Sequence, residues 1–237
     1  MLASGCTKLQ PHLDSGKGYS YLELGEHPIS ISCPLVSPST KALAGEMPLN
    51  YSTDESFGVY ALYYPTGNFS GWKSTPGSMT YINGAEFSYD SSIDDTSAGS
   101  GAWSATPGYY WPKGGKMTFA AWSPYRAKND CTMSYGPTGL QLTNFTTADK
   151  GSEQYDLLYS ERSMNKTSST GGTTYSGADI NFRHALCTVR FKFRSSQNYE
   201  GGTSTVIKGV EILNVYTRGN FEENINTLSL ATYSATP

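Results

Sequence analysis

The chain has 237 residues and a mass of 25.7 kDa, enough for one large β domain or two small ones. Charged residues make up 16% and the net charge is −3, so the basic excess that marks nucleic-acid binding is missing. The 18 Tyr, frequent Gly and Pro, and Ser plus Thr at about a quarter of the chain describe an extracellular β protein; they argue against both disorder and a helix bundle.

The chain opens Leu2-Ala3-Ser4-Gly5-Cys6. Small residues directly before a Cys match the lipobox of a bacterial lipoprotein, where the thiol takes the diacylglycerol. Only Met1 and Leu2 stand ahead of it, so Cys6 is either a lipid anchor or an ordinary residue. No stretch of 18 apolar residues is present to span a bilayer as a helix. Residues 7–26 are polar and Gly-rich without periodicity, which reads as a tether. The expected organisation is therefore a leader and tether over 1–26 and a β-sandwich over 27–237.

Residues 28–36 alternate apolar and polar, predicting a first strand. Pro28 and Pro34 make it an edge or loosely held strand. A loop over 37–55 carries Thr40-Lys41-Ala42. Phe57 to Tyr64 is a strong strand, with shorter ones expected at 78–83 and 86–89. A Ser/Asp/Gly loop spans 90–101. Its Asp90, Asp94 and Asp95 fit no EF-hand spacing and read as solvated rather than calcium-binding.

Tyr109 to Pro112 passes through the Lys113-Gly114-Gly115 turn into a strand over 116–124. In that strand Met117, Phe119 and Ala121 share one face, and Thr118, Ala120 and Trp122 the other. Residues 125–153 look irregular, apart from a strand at 139–143, and another short strand follows at 156–160. A low-complexity loop covers 163–178. The run to Arg194 alternates cleanly, predicting Val189, Phe191 and Phe193 in the core, and 206–216 reads as a further long strand. Seven to ten strands without βαβ alternation predict an all-β, two-sheet antiparallel sandwich of Greek-key type.

The residues that could carry chemistry do not converge. His12, His27 and His184 lie near no nucleophile elbow, and His184 reads as a structural, hydrogen-bonded histidine. Cys33, Cys131 and Cys187 lack zinc spacing, and Cys187 is expected as a buried free thiol. Nothing marks Glu153 and Asp156 as a glycosidase pair. Trp72, Trp103, Tyr109, Tyr110 and Trp111 could stack on sugars, but such aromatics more often fill a β core. Asn68, Asn144 and Asn165 sit in glycosylation-type triplets that a Ser/Thr-rich chain produces by chance. No cofactor, metal or catalytic activity is expected.

Four segments, in order, resemble the fimbrillin family of surface lipoproteins from gut and oral anaerobes. They are Ala3-Ser4-Gly5-Cys6 with its tether, Thr40-Lys41-Ala42 ahead of Phe57-Gly58-Val59-Tyr60-Ala61, Tyr110-Trp111-Pro112 through Ser123-Pro124, and Asp156-Leu157-Leu158 followed by Phe182-Arg183-His184-Ala185-Leu186-Cys187. The resemblance implies a transthyretin-like N-terminal sandwich, with a C-terminal domain missing here. It implies lipid anchorage at Cys6 in the outer membrane. It also implies protease cleavage in the loop after the first strand, followed by donor-strand complementation between subunits in a homo- or heteropolymeric fimbria that meets host or bacterial surfaces. The family's cut is commonly at Arg, whereas this loop offers Lys41, which is either a processing site or an ordinary loop cation. The alternative reading is a surface glycan-binding lipoprotein without catalysis.

Overall fold

The computed structural model describes residues 9–14, 18–37, 51–72, 74–93, 102–136, 139–150, 153–160, 162–167, 178–186, 191–194, 206–211, 213, 216–223 and 232–235. These residues form three sheets. One has three strands, in the order β1 (Leu9–Asp14), β2 (Gly18–Pro28) and β7 (Tyr110–Pro112). The largest sheet is built from β3 (Ile31–Ser37), β4 (Phe57–Tyr64), β5 (Met79–Asp90), β6 (Ala102–Ser104), β8 (Lys116–Ser123), β11 (Leu158–Ser160), β12 (Ser163–Lys166) and β13 (Ala178–His184). Its order is β11-β13-β3-β6-β5-β4-β8-β12, and it curls until β11 also pairs with β8. The last sheet runs β15 (Thr232–Ala235), β14 (Arg218–Glu222), β10 (Gly139–Thr146) and β9 (Thr132–Gly136).

The all-β sandwich expected from the sequence is the fold found. Its centre is the β4–β8 pair, whose continuous apolar runs are buried on both faces. Phe57, Val59, Ala61, Met117, Phe119 and Ala121 point inside the curl, where they meet Ile29, Ile31, Trp103 and Phe182. Tyr60, Leu62, Tyr64, Ala120 and Trp122 point the other way, against Tyr135, Leu140, Leu142 and Phe221 of the four-stranded sheet. The predicted division of the 116–124 strand into two faces therefore corresponds to two cores. An ion pair between Arg162 and Glu223, 3.5 Å apart and largely buried, ties the two layers together at one side.

Several local expectations change. The two short strands predicted over 78–89 are one strand, β5, bulged at Gly84. There Val59 pairs with Ala85 and Tyr60 with Asn83, and Gly84 takes φ 69°. The Gly-Gly turn does not close a hairpin; it passes the chain from β7, paired with β2, to β8, paired with β4. β12 forms inside the Ser/Thr-rich stretch that reads as loop. β1 and β2 form an antiparallel hairpin where the sequence shows only a polar tether.

Residues 191–194 and 206–211 lie outside the strands. Phe191 and Phe193 are 51% and 56% exposed and stack on one another, not on the core. Alternation states which face a strand would bury, but it does not supply the neighbouring strand that makes the face a core.

Candidate functional site

The first alternating segment is the feature on which the sequence reading turns. β3 does not lie at an edge: it sits between β13 and β6. Along β13 it pairs from Ala178↔Ile31 to Arg183↔Ser37. Along β6 the described residues pair at Ile31↔Trp103. Ser32 faces Asp179 and Leu35 faces Asn181, so Cys33 and Pro34 together oppose Ile180. Pro34, which has no N–H to give, thus falls in a bulge, which is how an interior strand accommodates it. Of the two readings of Pro28 and Pro34, an edge or a loosely held strand, the edge is corrected: β3 is an interior strand.

β3 is entered through two backbone hydrogen bonds. Ile29 N donates to Tyr109 O at 2.8 Å, and Ala178 N donates to Ser30 O at 2.9 Å. Ile29 and Ile31 are almost completely buried. The core around them is aromatic. Tyr51 stacks on Phe182 at 5.2 Å and meets Phe57 and Trp103 edge-on at 5.5 and 5.9 Å. The Tyr51 hydroxyl shares a 2.6 Å hydrogen bond with Ser123 Oγ and donates to Ser56 O at 3.2 Å. Burial holds its ionisation far above the ordinary tyrosine value. Tyr51 is therefore a fixed post where the chain re-enters the core after the loop that follows β3. No periodic pattern surrounds it, so sequence reading missed it.

Lys41 and Cys6 lie outside the described residues, as does Cys187. The remaining candidates fall apart from one another. His184 Nδ1 donates a hydrogen bond to Asp156 at the end of β13, the structural role expected of it. Burial raises the Asp156 carboxyl, with His184 pulling it the other way. Cys131 is a free thiol that donates to Ala127 O, and burial pushes it up to about 11, which suppresses thiolate character. Asp90 accepts both the amide and the hydroxyl of Ser92.

Trp72, Trp103 and Trp111 are all buried in the two cores, so these indoles offer no exposed face on which a sugar could stack. Asn165, part of a glycosylation-type triplet, is occupied structurally. Its Oδ1 accepts from Phe69 N at 2.8 Å and from the Tyr64 hydroxyl at 2.9 Å, with φ at 58°.

The chain belongs to the fimbrillin-like family, whose model matches residues 40–236. Membership places it among the subunits of cell-surface fimbriae, which assemble with other subunits. No curated protein and no solved structure matches it.

Proposed function

We propose that this protein is a non-catalytic fimbrial subunit, anchored through Cys6 in the outer membrane, that joins its neighbours by exchanging β3, the first strand of the sequence reading. The carrying observation is the seat of β3, which pairs along β13 across a bulge at Cys33–Pro34 and sets Ile31, beside Ile29, into the apolar core. Cleavage at Lys41, in the loop between β3 and Tyr51, would free β3 from the rest of the chain. Its departure would uncover the edge of β13 and the apolar space held by Ile29 and Ile31. Such an edge above an apolar floor is completed by an extended strand from another subunit, through main-chain hydrogen bonds and alternate side chains. Tyr51, pinned by Ser123 and Phe182, would keep the cut loop from unravelling the core.

The test is limited digestion of the full-length protein with a trypsin-like protease. The expected result is a cut at Lys41, loss of the N-terminal segment and oligomers that survive SDS. A cleaved protein that stays monomeric at high concentration overturns the assembly reading. Labelled palmitate entering the wild type but not Cys6→Ala tests the anchor separately.

A further inference from the structure

We infer that the cleft at the β7–β8 turn binds an acidic sugar, a single hexuronate ring whose carboxylate is held by Lys113 and Lys166. The cleft encloses about 240 Å3. Pockets for drug-sized ligands begin at roughly 300 Å3, so this one is on the scale of one monosaccharide.

Its place follows from the fold. β7 pairs with β2 and β8 pairs with β4, so the chain changes sheets at Lys113-Gly114-Gly115. The cleft opens where the two strands part, and β12 borders it through Lys166, the register partner of Met117. The turn is fixed in shape. Gly115 takes φ 77°, and a Cβ on it would stand 2.6 Å from Tyr64 O. A Cβ on Gly114 would meet nothing within 4 Å, so the rim there is bare backbone.

The lining selects the class of ligand. Among the described residues that line the cleft, Lys113 and Lys166 are cationic and none is acidic. Each ammonium has its carboxylate partner outside the lining: Glu23 on β2 is 3.4 Å from Lys113, and Asp179 on β13 is 3.1 Å from Lys166. Those carboxylates are 64% and 67% exposed, whereas Lys166 is only 20% exposed. Ion pairs with so solvated a partner are weak, and an entering carboxylate displaces them at little cost. Trp111 and Met117 lie behind the wall, each 1% exposed, which leaves ammonium groups, backbone and the Thr167 side chain as the surface on offer. That surface suits a ligand with hydroxyls and one carboxylate, and it offers little to an aromatic or aliphatic acid. A neutral sugar would leave the two charges unused, and a bare inorganic anion would leave most of the space unfilled.

The experiment is an amide NMR titration of the full chain at low ionic strength with sodium glucuronate. Glucose serves as the probe without a carboxylate and sodium acetate as the probe without a ring. Glucuronate should shift the amides of Lys113, Gly114 and Gly115 and bind about tenfold more tightly than either control. Lys113→Met and Lys166→Met should each weaken it about tenfold. Glu23→Gln removes the competing carboxylate and should tighten it about two- to fivefold. This opposite sign separates the site from a folding defect, because a damaged protein does not bind more tightly. Glucuronate that binds no better than acetate, or that shifts amides away from this turn, overturns the inference. So does binding that neither lysine substitution weakens, or that Glu23→Gln leaves unchanged.

Discussion

Trp122 occupies the space that a side chain on Gly58 would need. The two are register partners across β4 and β8, and a Cβ at position 58 would stand 2.1 Å from Trp122 Cζ2. Gly58 therefore exists to admit an indole, and the ring fills the outer of the two cores against Tyr60 at 5.2 Å. Gly58→Ala is expected to destabilise the fold by about 1–3 kcal/mol through overpacking. Adding Trp122→Leu, which clears the space, should make the two substitutions markedly non-additive in denaturant unfolding.

Asn165 couples a turn conformation to two hydrogen bonds. Asn165→Ala keeps neither the tolerance of positive φ nor the acceptor for Phe69 N, and should cost about 2–4 kcal/mol. Asn165→Gly restores the backbone freedom alone and should recover only part of that loss. Asn165→Asp keeps an acceptor oxygen and should lie closer to wild type. The ordering Asp, Gly, Ala in urea midpoints checks the assignment.

Alkaline pH should unfold the protein. Burial raises the phenols of Tyr51, Tyr60, Tyr63, Tyr64, Tyr135 and Tyr155, and pushes Tyr81 up to about 12. A group that binds its proton more tightly when folded contributes stability that is complete below its unfolded value, about 10 for tyrosine, and is lost as the pH climbs through the folded value. Ultraviolet titration should thus show a first group of phenols ionising normally and a second appearing together with loss of the β-sheet signal. Tyr81→Phe removes one late phenol and a 2.7 Å bond to Tyr110 O, costing about 1 kcal/mol at neutral pH.

Ile31 pairs with Ala178 on one flank of β3 and with Trp103 on the other. Ile31→Ala should cost about 2–5 kcal/mol and speed exchange of the Ala178 amide, which donates to Ser30 O beside it. Phe191→Ala, at a side chain about half exposed, should shift stability by no more than about 0.5 kcal/mol. Equal effects of the two substitutions would contradict the assigned core.

The central sheet was legible because β4 and β8 carry apolar runs whose odd and even positions both need burial, a pattern with one solution. The irregularity of β3 at Pro34 was legible, but its interior place was not. Local sequence reports a missing N–H and says nothing of which strands return beside it. Phe191 and Phe193 show the reverse failure, a clean alternation that lies outside the described strands. Tyr51 and Asn165 lay hidden in aperiodic loops, since their roles come from contacts with Ser123, Phe182, Tyr64 and Phe69 that are distant in the chain.

β2 and β3 are consecutive, yet they belong to different sheets. β2 lies on β7, where Leu24 is buried and Glu23 meets Lys113 at 3.4 Å, while β3 lies on β13. Both stand upstream of Lys41. A single cut there would release one peptide and lay bare two separate seams, one along β13 and one along β7. A lone donor strand can close only the first of them. A processed subunit would then carry a second unfilled edge on its flank, available for contacts beside the fibre axis as well as along it.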